Sequence, residues 1–75
     1  IYVDAGSKQF MIVPTQNTNA TSAAINNDWN ASFSGALHAG KSIQDASAEA
    51  TKAVASKYDM AYYEGTHGAL VRVTP

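Results

Sequence analysis

The sequence predicts an α+β fold: a small, mostly antiparallel sheet of three to four strands with one main helix, at about 42–57, packed on one face. Three observations predict it. Ser42-Ile43-Gln44-Asp45 is a helix-start signature followed by apolar residues at helical spacing. Two short alternating runs, 60–64 and 69–73, follow it across a glycine-containing turn. Upstream, 29–39 alternates almost without a break. The chain of 75 residues makes a single small domain, 1–75, with no room for a second core.

Taken in order, Ile1, Val3 and Ala5 alternate with Tyr2 and Asp4 before Gly6-Ser7 breaks the run. Phe10-Met11-Ile12-Val13 is an apolar strand stopped by Pro14. Residues 1–13 therefore read either as a hairpin turning at Ala5-Gly6-Ser7-Lys8, or as a lead followed by one strand at an edge or beside a partner. Residues 15–21 form a loop, with mobility as one reading. A turn or two of helix fits 20–26, capped by Asn19 or Thr21.

Trp29–Ala39 requires a choice. With period two, one face is Trp29, Ala31, Phe33, Gly35, Leu37 and Ala39, and the other is Asn30, Ser32, Ser34, Ala36 and His38. The rival is a helix with Ile25, Trp29, Phe33 and Leu37 at steps of four. That helix must absorb Asn26, Asn27, Asp28, Asn30 and Gly35, all poor helix formers. The half-buried strand is the preferred reading.

Ser42 opens the main helix. The Ser42 hydroxyl can accept from the Asp45 backbone N–H, and an acid in the first turn suits the positive helix end. The inner face is Ile43, Ala46, Ala50, Ala53 and Val54, and the outer face Gln44, Glu49 and Lys52. An alanine-rich inner face permits close approach to the sheet. Lys52 and Lys57 complement the negative end. Met60–Glu64 and Ala69–Val73 are the closing strands, with Gly65-Thr66-His67-Gly68 as their turn.

Composition narrows function. There is no cysteine, which removes disulfides and thiolate metal sites. Charged residues are 15% of the chain, below the usual quarter, and net charge is −1. The five basic residues, Lys8, Lys41, Lys52, Lys57 and Arg72, are scattered, so no nucleic-acid partner is expected. No apolar run reaches spanning length, so no membrane span is expected. A chain beginning at Ile1 fits removal of a tag or of a secretory leader. With few charges and many small polar residues, the second option points to a periplasmic or secreted protein.

Candidate chemistry is sparse. His38 and His67 could act as a metal or acid–base pair, but zinc needs three or four ligands and no short motif joins them. Both read as solvent-facing, so no metal and no cofactor are expected. None of the serines stands in a nucleophile elbow, and no catalytic residue is assigned. Gly35 to Ser42 matches the phosphate-loop pattern, with Gly35, Gly40, Lys41 and Ser42 in the key places. A chain this short, without a second acidic strand, makes chance the better explanation. Tyr62 and Tyr63 point to opposite faces, so one of them leaves the helix-covered side. Tyr62, Tyr63 and His67 are the candidate binding residues. Asn19-Ala20-Thr21 and Asn30-Ala31-Ser32 match a glycosylation sequon too short to carry weight.

Residues 30–75 resemble the YdgH/BhsA/McbA-like family of small periplasmic proteins. The matching stretches are Ser42-Ile43-Gln44-Asp45, the alanine-rich 46–55, Ala61-Tyr62-Tyr63 and Thr66-His67-Gly68-Ala69-Leu70-Val71. The first third has no counterpart, and the ending Arg72-Val73-Thr74-Pro75 departs from the pattern. The resemblance implies a leader-cleaved protein with stress or biofilm roles and no enzyme activity. The expectation is a non-enzymatic extracytoplasmic binding or stress-response domain. The first alternative is a protein–protein module, with an unknown protein partner or self-association through a sheet edge. The second is phosphate or nucleotide binding at 35–42.

Overall fold

A computed structural model describes residues 1–66 and 68–73. It is an α+β fold with six elements: β1 (Tyr2–Ala5), β2 (Lys8–Val13), α1 (Ser22–His38), α2 (Ile43–Lys57), β3 (Ala61–Thr66) and β4 (Ala69–Arg72). The four strands form one antiparallel sheet in the order β1-β2-β3-β4. Two terminal hairpins are thus joined through the centre, β2 against β3, and two helices fill the connection between them.

The first hairpin resolves the open choice at 1–13. Gly6, at φ +80, makes the turn and Asp4 Oδ1 accepts its N–H at 3.1 Å. The apolar strand is therefore not at an edge. It is β2, an inner strand that buries Phe10 and Ile12.

The main correction concerns Trp29–Ala39, which is helical. Thr21 caps α1, its Oγ1 accepting from Ala24 N at 3.1 Å, and the helix runs on to His38. Trp29, Phe33 and Leu37 are spaced by four, a multiple of two, so they satisfy both periodicities. Ile25 extends that row, whereas Ala36, also buried in α1, satisfies only the helical one. Asn26, Asn27 and Asn30 lie on the exposed side. Each costs about 0.5 kcal/mol of propensity there, an amount that packing readily outweighs. The expected short helix at 20–26 is the first part of this longer one.

The α1 helix ends at Gly40, whose φ of +89 closes a Schellman turn: Gly40 N–H bonds Leu37 O and Lys41 N–H bonds Ala36 O. Ser42 then caps α2, accepting from Asp45 N at 3.1 Å. Among the described residues, the backbone of α1 packs on α2 and on no strand, while α2 lies across β1, β2 and β3 but not β4. The middle helix is covered on two sides. Its buried arc is accordingly wide, Ala46, Ser47, Ala50, Thr51, Val54 and Ala55. This shifts the expected inner face: Ile43 is 64% exposed and Ala53 is exposed. Mostly small side chains let both neighbours approach.

The core comprises Phe10, Ile12, Ile25, Val54, Ala55, Met60 and Tyr62. Trp29 stacks on Phe33 with ring centroids 4.9 Å apart. Its Nε1 donates to Thr51 Oγ1 at 3.0 Å, and Thr51 Oγ1 donates to Ser47 O at 2.7 Å. The polar atoms on the buried arc of α2 are therefore satisfied.

β3 begins and ends later than the sequence suggested. Gly65 and Thr66 are strand residues paired with Leu70 and Ala69, not turn residues. A Cβ at Gly65 would stand 1.9 Å from Ala69 O, so only glycine lets β4 come this close.

Candidate functional site

Alternation along the strands sorts side chains onto two faces. Phe10, Ile12, Tyr62, Val71 and Val73 share the helix side: Ile12 pairs with Tyr62, Glu64 with Val71, and Val73 N–H bonds Tyr62 O at 2.8 Å. The opposite side carries no helix. There the register lines up a row across all four strands, Tyr2–Met11–Tyr63–Arg72, and beside it a second row, Asp4–Gln9–Gly65–Leu70. Tyr2 is 55% exposed at the β1 edge; Met11 and Tyr63 are half-buried between their neighbours.

The helix side is also incompletely covered. Because α2 stops at β3, Val71 on the edge strand β4 is 68% exposed, and Val73 just past the strand's end is 50% exposed. Between α2 and the end of β4 runs a groove of about 680 Å³. One wall is the α2 stripe Lys52, Ala55 and Ser56, continued by Asp59; Tyr62 and Val73 also line it. Its volume falls within the usual range of ligand pockets, about 300–1,000 Å³. Arg72, on the β4 edge, borders this groove as well as ending the open-face row.

One end of the groove is held by the loop at 15–18. Thr15 and Thr18 hydroxyls donate to Asp59 O at 2.8 and 3.1 Å, and Asn17 N–H bonds Thr15 Oγ1. Asp59 itself sits at φ +53, just past the end of α2, and Met60 N–H returns to Ala55 O. Outside the groove, Asp28 Oδ2 accepts from Lys57 Nζ at 2.8 Å and from the Tyr58 hydroxyl. Those two bonds, Lys57 first, hold the Asp28 carboxyl below its usual range. The Lys57 ammonium and the Tyr58 hydroxyl are pushed up, chiefly by the same bonds to Asp28.

Of the candidate binding residues, Tyr62 and Tyr63 do not come together. Tyr62 is buried, and its hydroxyl donates to Glu64 Oε2 at 2.9 Å. Burial first, then that carboxylate, pushes the Tyr62 phenol well above its ordinary value. Tyr63 is the one of the two on the open face. His67 lies outside the described residues.

The 35–42 stretch has a different use. Gly35 is within α1, Gly40 closes it, Lys41 Nζ pairs with Glu49 Oε1 at 3.0 Å, and Ser42 caps α2. A phosphate loop follows a strand and curls its amides inward; here a helix precedes, with amides from 35 to 39 turned into its own hydrogen bonds. Among the described residues, no three His, Cys, Asp or Glu side chains cluster for a metal, and no helix is long and apolar enough to cross a membrane.

Sequence reasoning passed over Val71, Val73, Tyr2 and Met11. The Tyr2–Met11 pairing was legible once the hairpin at 6–7 was adopted. The exposure of β4 was not, because it depends on where α2 crosses the sheet. Comparisons with protein-family models, with curated proteins and with solved structures return no match.

Proposed function

We propose that this protein is a non-enzymatic binding domain that holds an extended segment of a partner protein along β4. One observation carries the reading: β4 is an edge strand, and its helix-side Val71, with Val73 just past its end, stands largely exposed where α2 does not reach. An exposed edge is a template for a further strand, and main-chain bonds supply affinity there while side chains on alternate positions supply choice. The adjoining groove offers an apolar contact at Ala55 and Val73 with Lys52, Ser56 and Asp59 above it. A segment with apolar residues at alternate positions fits both features.

The test is selection of binders from a displayed peptide library, followed by amide chemical-shift mapping. Shifts concentrated on 69–73 and on Lys52, Ala55 and Ser56, lost on Val71→Lys, support the reading. Binders that map elsewhere, or that bind Val71→Lys equally well, refute it.

An extracytoplasmic setting belongs to the same proposal and rests on the low charge and the small polar composition. A stress or biofilm role rests only on the resemblance of 30–75, whose opening strand is helical in this protein. Fractionation of cells expressing the intact gene checks the setting: product confined to the cytosol removes it.

A further inference from the structure

We infer that the open face of the sheet pairs with the same face of a second copy, giving a two-fold symmetric dimer. The argument comes from the distribution of chemistry across that face. Its described residues are Tyr2, Asp4, Gln9, Met11, Val13, Ala61, Tyr63, Gly65, Leu70 and Arg72, by register. Only two are charged. Asp4 is on β1 at one edge and Arg72 on β4 at the other, three strand spacings away, or about 14 Å. The centre is neutral, and it carries Met11 and Tyr63 side by side.

A two-fold axis along the strand direction lays β1 of one copy over β4 of the other. The row Tyr2–Met11–Tyr63–Arg72 then meets its own reverse. Tyr2 faces the second copy's Arg72, and Met11 faces the second copy's Tyr63; both pairings repeat by symmetry. An arginine on a tyrosine ring and a methionine sulfur against an aromatic ring are each favourable contacts. Asp4 is two residues from Tyr2, about 7 Å along the strand, so the same Arg72 also approaches a carboxylate. Acid at one edge and base at the other, with neutral side chains between, is the pattern an isologous interface requires. A heterologous partner would have no reason to need opposite charges at opposite edges.

The size of the face sets the strength. Four strands about 4.8 Å apart and about five residues long present a few hundred Å² per copy, below the roughly 800 Å² of a standard interface. The dimer is therefore weak, with dissociation in the micromolar range or above. The β4 groove opens on the other side of the sheet, and Arg72 is the residue that borders both surfaces.

Sedimentation equilibrium from about 5 to 500 μM tests the inference. The expected result is a monomer–dimer equilibrium. Asp4→Arg and Arg72→Asp alone each weaken it by about tenfold or more, because like charges then meet twice per dimer. The double reversal Asp4→Arg with Arg72→Asp restores it, as only the reciprocal contact predicts. Circular dichroism establishes that each variant is folded. A protein monomeric throughout the range overturns the inference. So does a dimer that tolerates Tyr63→Glu but is lost in Val71→Lys, which would place self-association at the β4 edge, or a double reversal that fails to restore what the single reversals lose.

Discussion

Asp59 and Gly65 occupy backbone positions that bear on their side chains in opposite ways. Asp59 stands in the left-handed region at φ +53, immediately after the capping residue of α2, where glycine is the usual occupant. The hydroxyls of Thr15 and Thr18 bond its carbonyl, not its carboxylate. Asp59→Gly therefore keeps those bonds while relieving the backbone, and should stabilise the protein by about 0.5–1 kcal/mol in urea unfolding, the left-handed penalty less the added entropy of the unfolded chain. Gly65 is the reverse case. A methyl group there meets the Ala69 carbonyl, which is backbone and has no rotamer to yield. Gly65→Ala should cost about 1–3 kcal/mol, the usual range for overpacking, with loss of the β3–β4 amide protection in hydrogen exchange. Neither effect is visible in the sequence, where Gly65 reads as a turn glycine and Asp59 falls between the helix at 42–57 and the strand at 60–64.

Between elements, α1 packs extensively on α2, and specific polar contacts join the two. Thr51 links Trp29 Nε1 to Ser47 O, so Thr51→Val leaves the indole donor without its partner beneath a half-buried ring. A loss of about 1–2 kcal/mol is expected, with a change in tryptophan fluorescence as the stack on Phe33 loosens. At the other end, Asp28 joins Lys57 and Tyr58. Asp28 is depressed in the folded state, so its contribution is present above the unfolded carboxyl value, about 3.9, and is lost as pH falls through the lower folded value. Lys57 and Tyr58 are raised, so theirs are present below about pH 10 and lost as pH climbs through the folded values. The Tm difference between the protein and Asp28→Asn should hold steady between pH 5 and 9 and shrink at both extremes. A difference that grows below pH 4 would contradict the assignment. The expected single helix became two because the rows at steps of two and four coincide at Trp29, Phe33 and Leu37. Those three positions could not separate the two periods, whereas Ala36, read together with the Thr21 cap, could.

For the whole molecule, the arrangement leaves two surfaces with different roles. One helix covers three strands, the other helix covers that helix, and so β4 and the far face of the sheet are uncovered. The edge of β4 suits an extended protein segment, and the far face suits a second copy. Because these lie on opposite sides, their variants should separate cleanly. Val71→Lys should abolish peptide capture with the sedimentation profile unchanged, and Tyr63→Glu should abolish self-association with peptide affinity unchanged within about twofold. Both side chains are partly or largely exposed, so a change in Tm of only a few degrees is expected for either. Loss of both activities in one variant would mean that the two surfaces are coupled, contrary to the geometry.

Local chemistry was sufficient for the parts of this protein that depend on neighbours in the chain. The Ser42 cap, the helix to Lys57, the pairing of the last two strands and the opposed faces of Tyr62 and Tyr63 follow from hydrogen-bonding groups and periodicity a few residues apart. Even the first hairpin was one of two readings that the glycine at position 6 permitted. Tertiary structure decided the rest. Whether 29–39 was strand or helix depended on having α2 to pack against, since marginal helical propensity is settled by burial. Whether Phe10–Val13 was an edge or an inner strand depended on the closing hairpin far along the chain, where Glu64 pairs with Phe10 and Ala61 with Val13. Which surfaces stay open depended on the width of one helix laid over four strands, a quantity that no stretch of sequence contains.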